Sequence, residues 1–387
     1  MPRARHLLIA AWCSVFSAVT IAAEPYFPLR GETWQQVDPG TVRMNASKVQ
    51  AAVEYAQGNE FPAPRDLRVM NTERYQNEPN YRILGPVKNR PGPTGLIIRN
   101  GYIVASWGEP DRVDMTFSVT KSYLSAVAGV AYDDGLLTHL QAPVAEVVWD
   151  DTFAGEHNGR ITWDHLLNQS SDWRGTLFGL DDWMDRPPAG LSVEQIRAQP
   201  LHEPGTYFKY NDVRVNLAAY ALLQLLRKPL PVVLKERIMD PIGATERWRW
   251  YGLETSRVEI DGQMMVSVSG GGHFGGGMFV SAYDQARFGL LFLNNGVWNG
   301  KRVLSRRWID LATTPSPAKP NYGYMWWLNE GPTAWPKLPK DLFYADGVGG
   351  NYIVIDRAHN LLIITRWMDE DRDKLGKLIS LVVDSLT

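Results

Sequence analysis

Two strand patterns sit far apart in this chain, and they dictate how it must close. Near one end, Gly95-Leu-Ile-Ile-Arg99 and Tyr102-Ile-Val-Ala-Ser106 are apolar runs joined by Asn100-Gly101. Asn-Gly between two such runs predicts a tight hairpin. Near the other end, Tyr352 to Asp356 and Leu361 to Trp367 flank a short link, Arg357 to Asn360. Between these pairs the pattern is mostly helical. Strands at both ends with helices between predict one sheet built from the two chain ends, flanked by helices, with a helical domain inserted.

The expected fold class is therefore α/β in the α+β sense. A sheet domain takes residues 95–135 and 266–387, and a mostly helical insert takes 136–265. Residues 24–94, rich in Pro, Asn and Arg, read as an N-terminal extension, with a helix over Ala46 to Gln57 capped by Asn45. Phe117 to Ala131 is an apolar helix that ends near Asp133-Asp134-Gly135. Helices are also expected over 193–198, 215–227, 232–239, 282–294 and 371–386, and a second turn at Trp298-Asn-Gly-Lys301.

Composition narrows the function. The 387 residues are 44% hydrophobic and 21% charged, with a formal net charge of -2. That supplies a large core. Lys and Arg are scattered, so no basic field is offered to nucleic acid. Arg3 and Arg5 precede an apolar stretch from Leu7 to Ile21, and Ala22-Ala23 supply small residues before Glu24. This layout predicts a secretory signal peptide over residues 1–23 and a periplasmic or secreted product, with an uncleaved anchor as the alternative. The stretch is short for a membrane span, which needs about 20 residues. The one cysteine, Cys13, lies inside it. A mature chain without cysteine has no disulfide, thiolate nucleophile or cysteine-held zinc. H-E-x-x-H is absent, no G-K-[ST] follows the glycine run, and there is no G-x-S-x-G elbow. No metal and no cofactor are expected.

Ser118-Val-Thr-Lys121 has the S-x-x-K spacing. On a helix, residues three apart share a face, so the amine reaches the hydroxyl. Serine is a weak nucleophile at neutral pH and needs a base beside it. A lysine serves only if burial or a cationic neighbour lowers its pKa. Spacing alone decides little, because Ser316-Pro-Ala-Lys319 also matches, in a proline-rich loop. Ser118 differs in following a hairpin and opening an apolar helix. The competing reading is a core helix with a solvated lysine. Downstream, Pro204-Gly-Thr-Tyr-Phe-Lys-Tyr210-Asn-Asp212 offers Tyr210 as a phenol near the pair, or as a packed turn tyrosine. Asp346-Gly-Val-Gly-Gly350 leads into a strand. There the N–H of Val348, with that of Ser118, is a candidate oxyanion hole, against the simpler reading of a tight turn.

These three elements, in this order, resemble the serine β-lactamase-like and penicillin-binding-protein-like hydrolases. That superfamily includes class C β-lactamases, DD-peptidases, related esterases and 6-aminohexanoate-dimer hydrolases. The likeness runs over roughly residues 80–385. Ile161-Thr-Trp-Asp-His-Leu-Leu-Asn-Gln-Ser-Ser171 is similar to its T-x-x-H-L-L-x-x-x-S-G segment, and Pro204-Gly205 fits as well. So does Gly270 to Gly277 followed by Ala282 to Phe288. The resemblance implies Ser118 as acylated nucleophile, Lys121 as its base, Tyr210 as the catalytic tyrosine and Val348 as second oxyanion donor. It also implies a five-stranded antiparallel sheet, with the site in a cleft beside the helical domain.

Two positions depart from the pattern. Asp212 stands where lactamases and DD-peptidases usually carry Asn, and Ala345-Asp346-Gly347 stands where they carry Lys-Thr-Gly or His-x-Gly. An acid in place of a cation suits a neutral or cationic substrate better than a β-lactam or D-Ala-D-Ala carboxylate. The run Ser269 to Met278 is most similar to the 6-aminohexanoate-dimer hydrolase branch. His273 within it is either a second base or a clamp on the glycine turn. Trp173, Asp181 and the neighbouring Trp183 are expected near the cleft, with Asp212, Asp346, Gly347 and His273 as further substrate contacts. The expected activity is hydrolysis of a small-molecule ester or amide through an acyl-enzyme on Ser118. DD-peptidase or β-lactamase activity is the alternative within the fold, and a catalytically silent binding protein the alternative outside enzymology.

Overall fold

The computed structural model describes residues 25–31 and 33–387. The expected signal peptide and Cys13 lie outside the described residues.

Asn100 and Gly101 take φ of 52° and 86°. This left-handed pair matches the twist of the flanking strands, so Thr94–Arg99 folds back on Tyr102–Trp107. Thr94–Arg99 also pairs antiparallel with Leu361–Arg366, with Leu96 opposite Ile364 and Ile98 opposite Leu362. The sheet runs on through Asn351–Asp356 and Phe343–Gly347 to Trp327–Leu328. It is antiparallel and joins the two chain ends, as expected, but has six strands rather than five. The extra strand is the two-residue edge at Trp327–Leu328.

Alternate residues of the central strands face opposite layers. Ile353, Ile355, Leu362 and Ile364 pack with the helix Ala282–Leu293 in the larger core. Val354, Leu361 and Ile363 pack on the other face with the helices Ala46–Gly58 and Arg372–Val383. Among the described residues, the helix of the expected extension therefore packs onto the sheet. It begins at the expected Asn45 cap and buries Val49, Ala52, Val53 and Ala56.

In the middle, Val193–Ala198, Asp212–Leu226 and Leu230–Leu234 are helical, the last running on into a π-helical turn, Lys235–Met239. The insert is not helical as far as 265. Arg249–Ile260 and Gln263–Val268 form a long antiparallel hairpin. Its turn is Asp261-Gly262, with φ of 54° and 72°, the same left-handed device as Asn100-Gly101. A register shift between Gly252 and Arg257 breaks the two-residue alternation, so neither strand nor helix period shows clearly in the sequence.

This hairpin reaches the site. Arg249–Tyr251 pairs with Gly277–Val280, which pairs with Asp114–Met115 immediately before Ser118. The helix Thr120–Asp133 then runs through the core, buried almost throughout. Among the described residues, no single helix is long and apolar enough to cross a membrane.

That central helix holds Gly129 against Trp308. A β-carbon at 129 would lie 2.4 Å from the indole. Alanine gains about 1 kcal/mol over glycine inside a helix, but overpacking a core costs about 1–3 kcal/mol. Gly129→Ala is therefore expected to lower the urea midpoint. A midpoint at or above wild type would show that Trp308 yields without cost.

Candidate active site

Phe117 holds the turn that presents the serine. It is buried and sits at φ 47°, a strained value for a residue with a bulky side chain. Phe117–Val119 forms a single 3-10 turn, and the α-helix follows from Thr120. One turn on, Lys121 Nζ lies 2.8 Å from Ser118 Oγ and 3.3 Å from Gly270 O. It also lies 2.7 Å from Asp212 Oδ1. Lys121 is 1% exposed and Asp212 1%. Burial pushes the lysine pKa down, and Asp212 restores only part of the loss. Burial alone would raise Asp212, but Lys121, Arg186 and His273 together hold it well below the usual carboxylate range.

The segment resembling T-x-x-H-L-L-x-x-x-S-G positions the tyrosine. Gln169 O accepts from Lys209 N at 3.1 Å, and Gln169 Oε1 accepts from Asn211 N at 2.9 Å. One residue thus grips the backbone on both sides of Tyr210. Asn211 caps the helix Asp212–Leu226 through Arg214 N and donates to Asp182 O at 2.8 Å. The phenol of Tyr210 lies beside Ser118, which pulls its pKa down slightly. Its ring stacks on Trp327 at 5.9 Å and lies 5.0 Å from Lys121 Nζ. Burial, reinforced by Asp212, holds its pKa well above the ordinary value, so the phenol stays protonated.

The glycine run lets backbone approach this pair. A β-carbon at Gly272 would fall 2.2 Å from Asp212 Oδ2. Across the site, a β-carbon at Gly347 would fall 2.3 Å from Thr116 O and 3.2 Å from Ser118 N. Glycine at 347 thus brings the end of the strand Phe343–Gly347, and with it Val348, against the serine turn. Asp346, one residue earlier, is pushed up to about 7 by burial and by Glu370, against the pull of Lys121 and Arg372.

Behind Asp212 lies a second layer of charge. His273 is buried, with Nδ1 3.2 Å from Asp212 Oδ2 and Nε2 2.7 Å from Glu78 Oε2. Its ring stacks on Tyr75 at 4.2 Å. Burial pushes the imidazole down, but hydrogen bonds to Asp212 and Glu78 and the charge of Asp185 outweigh it and raise the pKa to about 9. Arg186 bridges Asp185 at 2.5 Å and Asp212 at 3.2 Å. Asp185 in turn accepts the N–H of Asp212. Donor atoms of Glu78, Asp185 and His273 come within 4.8 Å of one another. A metal there would have to strip the imidazolium proton and compete with Arg186, so the group reads as an ion-pair network.

Sequence reasoning brought Ser118, Lys121, Tyr210, Asp212, His273, Asp346, Gly347 and Val348 together, and the structure gathers them. Trp173 is different. It is 1% exposed, and its indole donates to Thr152 O at 2.8 Å, so it is core. Asp181 is held outside by Thr176 and by Arg197 at 3.0 Å. Their neighbours Asp182 and Trp183 line the cavity beside Tyr210 instead. Arg186, Asp185 and Glu78 were missed. They come from loops without motif character, and no spacing rule links them to Ser118.

A model of the Beta-lactamase family matches residues 85–374. The chain belongs to the Beta-lactamase family. Members of this family are serine hydrolases. The 6-aminohexanoate-dimer hydrolase of Paenarthrobacter ureafaciens is 24% identical over 227 residues, 56% of this chain and 55% of that one. A family VIII carboxylesterase superposes with a TM-score of 0.58 at 17% identity, covering 89% of this chain and 99% of the other. A penicillin-binding protein homologue from Caulobacter crescentus gives 0.56 at 17% identity over 84% and 99%.

Within this Beta-lactamase-family fold, the charged histidine yields a stability prediction. Its pKa is raised on folding from 6.5 to about 9. The stabilisation is therefore complete below the unfolded value and lost as pH rises through the folded one. It amounts to on the order of 3 kcal/mol. In urea titrations across that window, His273→Gln should fall furthest behind wild type below about pH 6.5 and close much of the gap by about pH 9. A gap that stays constant would mean the imidazole is neutral.

Proposed function

We propose that this chain is an exported serine hydrolase that cleaves an ester or amide bond through an acyl-enzyme on Ser118. The observation that carries the reading is Lys121 Nζ, 2.8 Å from Ser118 Oγ, with its pKa lowered by burial. The neutral fraction of Lys121 takes the hydroxyl proton as Oγ attacks the carbonyl. The N–H groups of Ser118 and Val348 face the developing oxyanion. Tyr210, held protonated beside Ser118, hands its proton to the leaving alcohol or amine and is reprotonated from Lys121. Water then adds to the acyl-enzyme, and the carboxylic acid leaves with Ser118 restored.

Asp212 sets the working pH in this scheme. It stays ionised and raises the pKa of Lys121. Removing its charge lowers that pKa further, so the free base persists to lower pH. Asp212→Asn should therefore move the acidic limb of the kcat/KM profile to lower pH. A limb that moves upward would show that Asp212 does not govern the base.

A fluorophosphonate probe and a panel of p-nitrophenyl esters and amides test the reading directly. Wild type should label and turn over, and Ser118→Ala should lose both. Equal labelling of the two proteins would remove Ser118 from the nucleophile's role. The second reading, a β-lactamase or DD-peptidase, is disfavoured by Asp346 on the strand where a carboxylate-binding cation is usual. Nitrocefin turnover should be slow; efficient turnover would favour that second reading.

A further inference from the structure

A cavity of about 540 Å³ opens beside the ring of Tyr210, walled by Trp183, Tyr207, Arg174, Lys209, Arg186 and Arg214 among others. Its charges do not cancel. The two carboxylates on its wall, Asp172 and Asp182, share a single cation, Arg214, at 2.8 Å and 3.2 Å, which leaves one negative charge over. Arg186 is spent on Asp185 and Asp212, and Arg197 on Asp181. Two cations remain. Arg174 gives its guanidinium hydrogens to the carbonyl oxygens of Arg197 and Gln199, at 2.9 Å each, which leaves its charge uncompensated. Lys209 forms no ion pair among the described residues. It is half-buried, and its backbone is pinned to Gln169 beside Tyr210.

A desolvated, unpaired cation in a cavity wall is costly unless a ligand brings the opposite charge. Burial pushes the Lys209 amine down, helped by the nearby charge of Arg214 and only partly opposed by Asp182, Asp185 and Asp172. The remaining wall is aromatic and aliphatic, with Trp183, Tyr207, Pro188 and Ile196, which suits an apolar spacer ending in an anion. We propose that this cavity is a subsite for a carboxylate on the leaving-group side of the substrate, held by Lys209 and Arg174. The side follows from Tyr210, whose phenol faces the leaving group under the hydrolase reading on which this inference rests. The strand wall carrying Asp346 and this wall then differ in sign, so the anion is received away from the strand.

Two phenyl esters test it: 4-carboxyphenyl butyrate and its neutral methyl ester, 4-(methoxycarbonyl)phenyl butyrate. The readout is the ratio of their kcat/KM values, which cancels any loss of folded enzyme. Lys209→Met should lower the anionic-to-neutral ratio by about tenfold, mainly through KM, and Lys209→Arg should retain it. Arg174→Ala should lower it in the same direction. In wild type alone, 4-hydroxybenzoate should inhibit more tightly than methyl 4-hydroxybenzoate, and added salt should weaken that difference. If the ratio stays within twofold in Lys209→Met and Arg174→Ala, or the two phenols inhibit wild type equally, the subsite falls. Those results leave the hydrolase reading standing as long as the neutral ester turns over and Ser118 labels. If neither ester reacts and Ser118 does not label, it is the hydrolase reading that fails.

Discussion

Lys121 and Asp212 meet at 2.7 Å with almost no exposure to water, and the rest of the site is arranged around that pair. Burying two charges costs more than their attraction returns unless further partners complete the shell. Asp212 therefore faces Arg186 and His273 as well as Lys121, and Asp185 and Glu78 balance those cations. Because the carboxylate is shared, it cannot fully restore the lysine. The amine stays below its ordinary pKa. The same crowding that keeps the pair dry makes the amine available as a base. Removing one member of such a pair typically costs about 3–5 kcal/mol, so the network serves stability and chemistry together.

Crowding of this kind needs backbone where side chains would not fit. Gly272 lets the chain pass against Asp212, and Gly347 lets the last residues of a sheet strand touch the serine turn. Arg366 ties these parts to one another. It is buried in the central sheet, and its guanidinium donates to Val280 O at 2.6 Å and Met115 O at 3.0 Å. Those two carbonyls belong to the paired strands that lead into Ser118. The serine turn is thus held from both sheets, and the strain at Phe117 is carried by structure that cannot relax locally.

Much of this was legible because it is written in local rules. Asn100-Gly101 made its hairpin, Asn45 capped its helix, and S-x-x-K placed one amine on one hydroxyl. Residues 249–265 fall within the expected mostly helical insert, although Asp261-Gly262 carries the same turn signal. A register shift between Gly252 and Arg257 hides the alternation there. Trp173 was drawn toward the cleft by its neighbours, but the loop turns inward there. Arg186, Asp185 and Glu78 were beyond reach for a different reason. Their role comes from meeting across the fold, and single-sequence patterns report only neighbours along a helix or strand.

The position of Glu78 gives the segment that ends at residue 94 a part in the site. By composition it reads as an extension to a catalytic domain. Yet Glu78 holds the far nitrogen of His273, Tyr75 stacks on the same ring, and Tyr81 donates to His273 O at 3.1 Å. The glycine run that carries His273 is thus fastened from this segment. A β-carbon at Gly85 would strike Gly276 N at 2.5 Å, so even the backbone contact is tight. Without these contacts the imidazolium would lose a carboxylate partner and Asp212 would lose a positioned cation. Asp212 would then lean more heavily on Lys121 and raise its pKa toward the ordinary value. The segment therefore acts on the base from two residues away, and its boundary belongs inside the catalytic unit.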